Sequence, residues 1–169
     1  MKIYSLKKRQ LVPLHLADVF MFFSKPGNLQ ILTPGNLGFQ ILTPEPLDMK
    51  EGAVIDYTIR LVGIQVRWTT LISAYDPPRK FVDIQLRGPY SFWHHTHTFT
   101  PLAEGTLIKD EVRYALPFGF IGTILHSLVV RRQLEKIFSY RAQIVERLFS
   151  DAVKNAKGVV TTQTERELV

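Results

Sequence analysis

Between Gly52 and Pro117 apolar and polar residues alternate with period two, broken only at Gly63, Asp76-Pro77-Pro78, Gly88-Pro89 and Ala103-Glu104-Gly105. Successive side chains of a strand point to opposite faces, so alternation of this length punctuated by turn residues predicts an antiparallel meander with one face on a core. Strands are expected near 53–62, 64–75, 80–87, 90–100 and 106–116. Pro117 closes the pattern, and the period changes to that of a helix. Leu134, Ile137, Phe138, Ile144, Val145 and Leu148 share one face of a helix predicted from about Gly122 to Phe149.

The segment before the meander adds three kinds of element. Residues 2–12 read as a strand, and Leu14, Val19, Phe20, Phe22 and Phe23 as one face of a short helix that ends near Ser24 and Pro26. Gly27 to Leu32 reads as a second short helix or turn, and 37–43 as another strand. The text PGNLQILTP is nearly repeated as PGNLGFQILTP, a period too short for a solenoid unit and read as coincidence. A chain of 169 residues with 46% apolar content suits one domain, placed at 1–150. The polar stretch 151–169 lacks periodicity and is expected to fray.

Composition removes several function classes. Without cysteine there are no disulfides, cysteine zinc sites or thiol nucleophiles. His15 and Asp18 interrupt the first apolar stretch and no small-residue cleavage site follows, so no signal peptide is read. The run Phe118 to Val130 is well short of the roughly 20 residues that span a bilayer. A cytoplasmic protein is the expectation. The net charge of +6 lies on residues 1–14 and 119–150, while 15–118 nearly balances. These segments read as solvated faces, with weak attraction to an anionic lipid surface, or a protein-interaction role, as the alternative. No nucleic-acid motif is present. No serine sits in a nucleophile elbow, and there is no phosphate loop.

The order strand, two short helices, antiparallel meander and long helix leaves room for a cavity between sheet and helix. With the segments DVFMFFSKPGNLQILTP, FVDIQLRGPYSFWHHTHTF and VRYALPFGFIG…LEKIFSYR, it resembles the START/polyketide-cyclase (SRPBCC, Bet v 1-like) superfamily, and most of all its small bacterial ligand-binding members. The resemblance covers residues 1 to about 150. It implies an α+β helix-grip fold, a curved antiparallel sheet of about seven strands wrapped around a long C-terminal helix. It also implies a hydrophobic ligand, since members bind lipids, sterols, hormones and polyketides and a minority are enzymes.

Period two sorts the faces. The inward sets are Ala53, Ile55, Tyr57, Ile59 and Leu61; Ile64, Val66, Trp68, Thr70 and Ile72; Trp93, His95, His97 and Phe99; and Ile108, Asp110, Val112 and Tyr114. For 80–87, hydrophobicity alone selects Val82, Ile84 and Leu86, whereas the resemblance selects Phe81, Asp83 and Gln85, which we follow. Tyr57, Trp68, Trp93, Phe99 and Tyr114 are then expected to offer apolar contact to a ligand, and Gln85, His95, His97, Asp110 and Arg141 to orient its polar part.

The cluster of Asp83, Gln85, His95, His97 and Asp110 has three readings. In the first it is a self-satisfied polar network that pairs with the polar end of a ligand. In the second, His95 or His97 moves a proton while Asp83 or Asp110 orients it, as a cyclase or dehydratase requires. In the third, the His-x-His pair and a carboxylate bind a metal. The first is preferred, with a binder favoured over an enzyme and neither metal nor cofactor expected. His126 reads as a packed or capping side chain, and Gly119 to Gly122 as a flexible entrance.

Overall fold

A computed structural model of the chain describes residues 1–117, 119 and 129–166, with side chains as far as 150. The first strand, β1 (Tyr4–Val12), is followed by α1 (Leu16–Phe23), α2 (Asn28–Ile31) and a single 3-10 turn at Gly35–Leu37. Strands β2 (Gln40–Ile41), β3 (Val54–Leu61), β4 (Ile64–Asp76), β5 (Lys80–Arg87), β6 (Phe92–Leu102) and β7 (Gly105–Ala115) come next, and then α3 (Arg131–Arg166). The expected start of the long helix, His126 and most of the proposed entrance lie outside the described residues. At the other end the helix runs past Phe149 to Arg166, where a frayed tail was expected.

The seven strands form one antiparallel open sheet in the order β1-β7-β6-β5-β4-β3-β2. This is the helix-grip architecture that the resemblance implied. The strand expected over 37–43 shrinks to two residues because Gly35–Leu37 turns and Gly38 takes a left-handed φ of 52°. The β3–β4 hairpin turns through Val62 and Gly63, both at positive φ (51° and 81°), a backbone that glycine adopts freely and valine does not. Ile64, assigned to the inner face, is 69% exposed beside that turn.

Two register shifts between β4 and β5, at Thr69/Thr70 and at Ile72/Ala74, matter for the interior. The second moves the inward positions from even to odd numbers, so Tyr75 pairs with Phe81 and both reach Phe20. Strand β5 itself alternates regularly across the shift, with Asp83 paired to Ile72 and to His95. Phe81 is buried, Asp83 reaches inner-face side chains of β6, and Leu86 is 55% exposed. Plain hydrophobicity misleads at Leu86 because the β4–β5 register skips it, Thr69 pairing with Arg87 and Thr70 with Gln85.

One core cluster joins Val12, Val19, Phe20, Phe23, Phe81 and Phe99 to Val145 and Phe149 of α3, and so fastens the helix to one end of the sheet. The amide of Gln10 in β1 donates to the carbonyl of Ala142 at 2.8 Å and ties the helix to the sheet edge. A second cluster sets Leu134 and Phe138 of α3 against Val112 and Tyr114 of β7. Between these contacts the helix stands off the sheet. No helix among the described residues is long and apolar enough to cross a membrane.

Candidate functional site

The gap between α3, α1–α2 and strands β3 to β6 is a cavity of about 140 Å³. Its walls are apolar and largely aromatic. Trp68 stands edge-on to Trp93 with ring centroids 5.1 Å apart and lies parallel to Tyr57 at 5.8 Å. Ile59 and Leu61 from the sheet and Ile137 from α3 continue the lining. Alternation produces this wall, since Tyr57, Ile59 and Leu61 are successive inward positions of one strand and Tyr57 pairs with Trp68 across β3–β4.

One end of the cavity is ionisable. His95 and His97 are successive inward residues of β6, and both are buried. The register sets His97 opposite Asp110 of β7 and His95 opposite Asp83 of β5. His95 Nε2 bonds Asp110 Oδ1 at 2.9 Å, and His97 Nε2 bonds Asp83 Oδ2 at 2.8 Å. The remaining nitrogens make two off-axis approaches, His95 Nδ1 to Asp83 Oδ2 at 3.3 Å and His97 Nδ1 to Asp110 Oδ1 at 3.0 Å. Two carboxylates and two imidazoles thus alternate in a closed ring. The Trp93 indole N–H donates to the other oxygen of Asp83 at 3.2 Å, and Arg141 Nη1 lies 3.7 Å from Asp110 Oδ1.

Burial and pairing oppose each other in this ring. Burial raises the carboxyl of Asp110, but the hydrogen bonds from His95 and His97 outweigh it and hold the group well below the usual carboxylate range. Asp83 is lowered in the same way, against its burial, by the His95 charge and the His97 hydrogen bond. Burial also disfavours charge on His97, yet its bonds to Asp110 and Asp83 leave it raised. His95 is lowered by burial and then by repulsion from His97. Positive charge on the pair is therefore favoured at His97 over His95.

Asp83, His95 and His97 present ligand atoms within 4.8 Å of one another and could converge on a metal ion. Doing so would cost the His–Asp hydrogen bonds, because each nitrogen already faces a carboxylate oxygen. For proton transfer, His97 is a cavity-lining imidazole with a carboxylate on either side.

Of the expected ligand contacts, Tyr57, Trp68, Trp93, His95, His97 and Arg141 line the cavity, as does Asp83. Four others do not. Gln85 turns aside to hold the β5–β6 connection, donating to the Tyr90 carbonyl at 2.7 Å and accepting from its N–H at 3.3 Å. Phe99 is inward but lies under α1, among Phe20, Phe23 and Phe81. Tyr114 is inward too and is covered by Val130, Leu134 and Tyr90. Asp110 sits behind the histidines, on a second and smaller cavity of about 100 Å³ lined also by Lys8, Arg9 and Arg141. Period two identifies a face but not what lies over it, which is why these four were misplaced. The reading also missed Tyr90, Phe39 and Ile137, which line the cavity from a connection, the segment before β2 and the helix, where strand alternation carries no information.

No known family model matches the chain, and no curated protein sequence does. Solved structures do match. TTHA0849 from Thermus thermophilus superposes with a TM-score of 0.68 at 16% identity, over 88% of this chain and 99% of that one. The major latex-like protein 151 of Panax ginseng gives 0.65 at 13%, over 87% and 97%. A norcoclaurine synthase point mutant from Thalictrum, solved with a transition-state analogue, gives 0.64 at 17%, over 89% and 96%. The chain shares the helix-grip fold of these structures, and at these identities the likeness speaks for the fold alone.

Proposed function

We propose that the protein binds a small hydrophobic ligand bearing a polar group in the cavity between sheet and helix. The observation that carries this reading is the cavity's two-ended character, with aromatic and aliphatic walls leading to a buried His–Asp–Arg end. Trp68, Trp93 and Tyr57 contact the apolar part, and His95, His97 and Arg141 face the polar one. A mostly apolar concavity with a few convergent polar groups is the usual form of a small-molecule site. Displacement of an apolar fluorescent dye by small aromatic compounds tests it. Saturable one-to-one displacement is expected, and a protein that binds no apolar probe overturns it.

A second reading is acid–base catalysis at the same place. It is favoured by the position of His97, a cavity-lining imidazole with a carboxylate on either side, and by an enzyme among proteins of this fold. A His97→Phe variant separates the two, because turnover of a bound compound would vanish while apolar affinity would largely persist.

A further inference from the structure

Arg141 is the least satisfied charged group of the site. Its side chain is 12% exposed, it lines the cavity, and its Nε and Nη1 are buried without a hydrogen-bond acceptor among the described residues. Its nearest carboxylate oxygen, Asp110 Oδ1 at 3.7 Å, is already engaged by His95 and His97. The guanidinium carbon instead lies 4.9 Å from the centroid of the Phe138 ring. A second donor of the lining, Trp68 Nε1, is likewise buried without an acceptor. Buried donors left unpaired are costly, and a guanidinium has five N–H groups to satisfy. Asp83, by contrast, accepts from Trp93 and is paired with the histidines. The deficit of the cavity is therefore in acceptors, and it is largest at a cation.

Size narrows the occupant. An engineered cavity of about 150 Å³ lined by apolar side chains holds a benzene ring, and the cavity here is about 140 Å³ with Tyr57, Trp68, Trp93 and Tyr90 in its wall.

We propose that the ligand is a compact organic acid of single-ring size whose carboxylate docks on Arg141, and that the His95–His97 pair takes up one proton as it binds. This rests on the cavity being a ligand site. The second part follows from the charges around the pair. Asp83 faces it from β5, Asp110 from β7 and Arg141 from α3. Tyr57 on β3 is kept neutral by burial, and Lys8 and Arg9 on β1 lie across the second cavity. With one imidazolium, the two carboxylates and Arg141 are in balance. An entering carboxylate adds one buried negative charge, and the second imidazole is placed to answer it. Two neutral imidazoles supply only two N–H groups to the four N···O approaches of the ring, whereas two imidazolium ions supply four.

Isothermal titration of the full chain with phenylacetate, 2-phenylethanol and 2-phenylethylamine, in two buffers of different ionisation enthalpy, tests both parts. Phenylacetate is expected to bind at least about tenfold more tightly than the alcohol, with the amine weakest. The acid should take up between about one half and one proton near pH 7 and tighten as pH falls, while the alcohol takes up none. In Arg141→Gln the preference for acid over alcohol should disappear. If that variant does not fold, the acid-to-alcohol ratio and proton count of the unaltered protein still decide. Acid binding no tighter than the alcohol, or acid binding without proton uptake, overturns the proposal. Displacement of an apolar dye by none of the three compounds overturns the acid assignment alone, whereas failure to bind the dye itself removes the ligand site.

Discussion

The imidazoles of His95 and His97 lie with ring centroids 3.7 Å apart at 39°. Inward neighbours on a strand start nearly 7 Å apart at the backbone, so the rings lean together. The cause is that they share both carboxylates, each histidine touching Asp83 on one side and Asp110 on the other. This ring bonds three central strands side chain to side chain and forms the charged end of the cavity.

Removing one carboxylate leaves the opposing charges without an answer. Asp110→Ala is expected to destabilise the fold by about 3–5 kcal/mol, the usual result of breaking a buried ion pair on one side. Asp110→Asn, which keeps an acceptor for one histidine, should lose less. Urea unfolding followed by far-ultraviolet circular dichroism measures both.

The pH profile of stability should have a steep acid limb. Asp110 and Asp83 are held below 3.8 in the folded protein, so below that value the unfolded chain binds protons first and stability falls with pH. That stability is fully present above 3.8. Near 6.5 the histidines act in opposite senses, because His97 is raised and favours the fold at lower pH while His95 is lowered and favours it at higher pH. His97's contribution is lost as pH rises from 6.5 through its raised value and His95's as pH falls from 6.5 through its lowered one, so within that region stability is expected to peak near 6.5. Thermal melts between pH 2.5 and 8 should show this shape, with a shallower acid limb in Asp110→Asn.

Phe99 belongs to the packing and not to the cavity wall. It is buried among Phe20, Phe23 and Phe81, so Phe99→Ala should cost about 3–5 kcal/mol. Affinity for an apolar ligand, measured well below the lowered melting temperature, should stay within a few-fold of the unaltered protein.

Ile137 offers the converse case. It projects from α3 into the cavity lining and is only partly buried. Ile137→Trp should fill the space, abolish dye binding, and change stability by less than about 1.5 kcal/mol, since it occupies a void and displaces no packed neighbour. Paired dye titration and urea unfolding check this.

Much of the site was legible because β6 and β7 are regular. In an antiparallel pair without bulges, inward parity at Trp93 carries through His95 and His97, and register brings Asp110 opposite. Strand β5 was not readable from hydrophobicity, since Val82 is buried while Leu86 is bare. Phe99 and Tyr114 share parity with the histidines but lie beneath other elements, which strand alternation cannot reveal. Arg141 could be assigned to the helix face but not to its partner, because the stand-off of α3 is set by packing at Val145, Phe149 and Phe138.

The central claim, that the space between sheet and helix receives an apolar ligand, is tested most directly by tryptophan emission. Trp68 and Trp93 are the two tryptophans of the chain and both line the cavity. Titration with 2-phenylethanol should shift or quench their emission saturably in the unaltered protein and leave it unchanged in Ile137→Trp beyond that variant's own added signal. An unsaturable response in the unaltered protein, or one equal in both, would contradict the account.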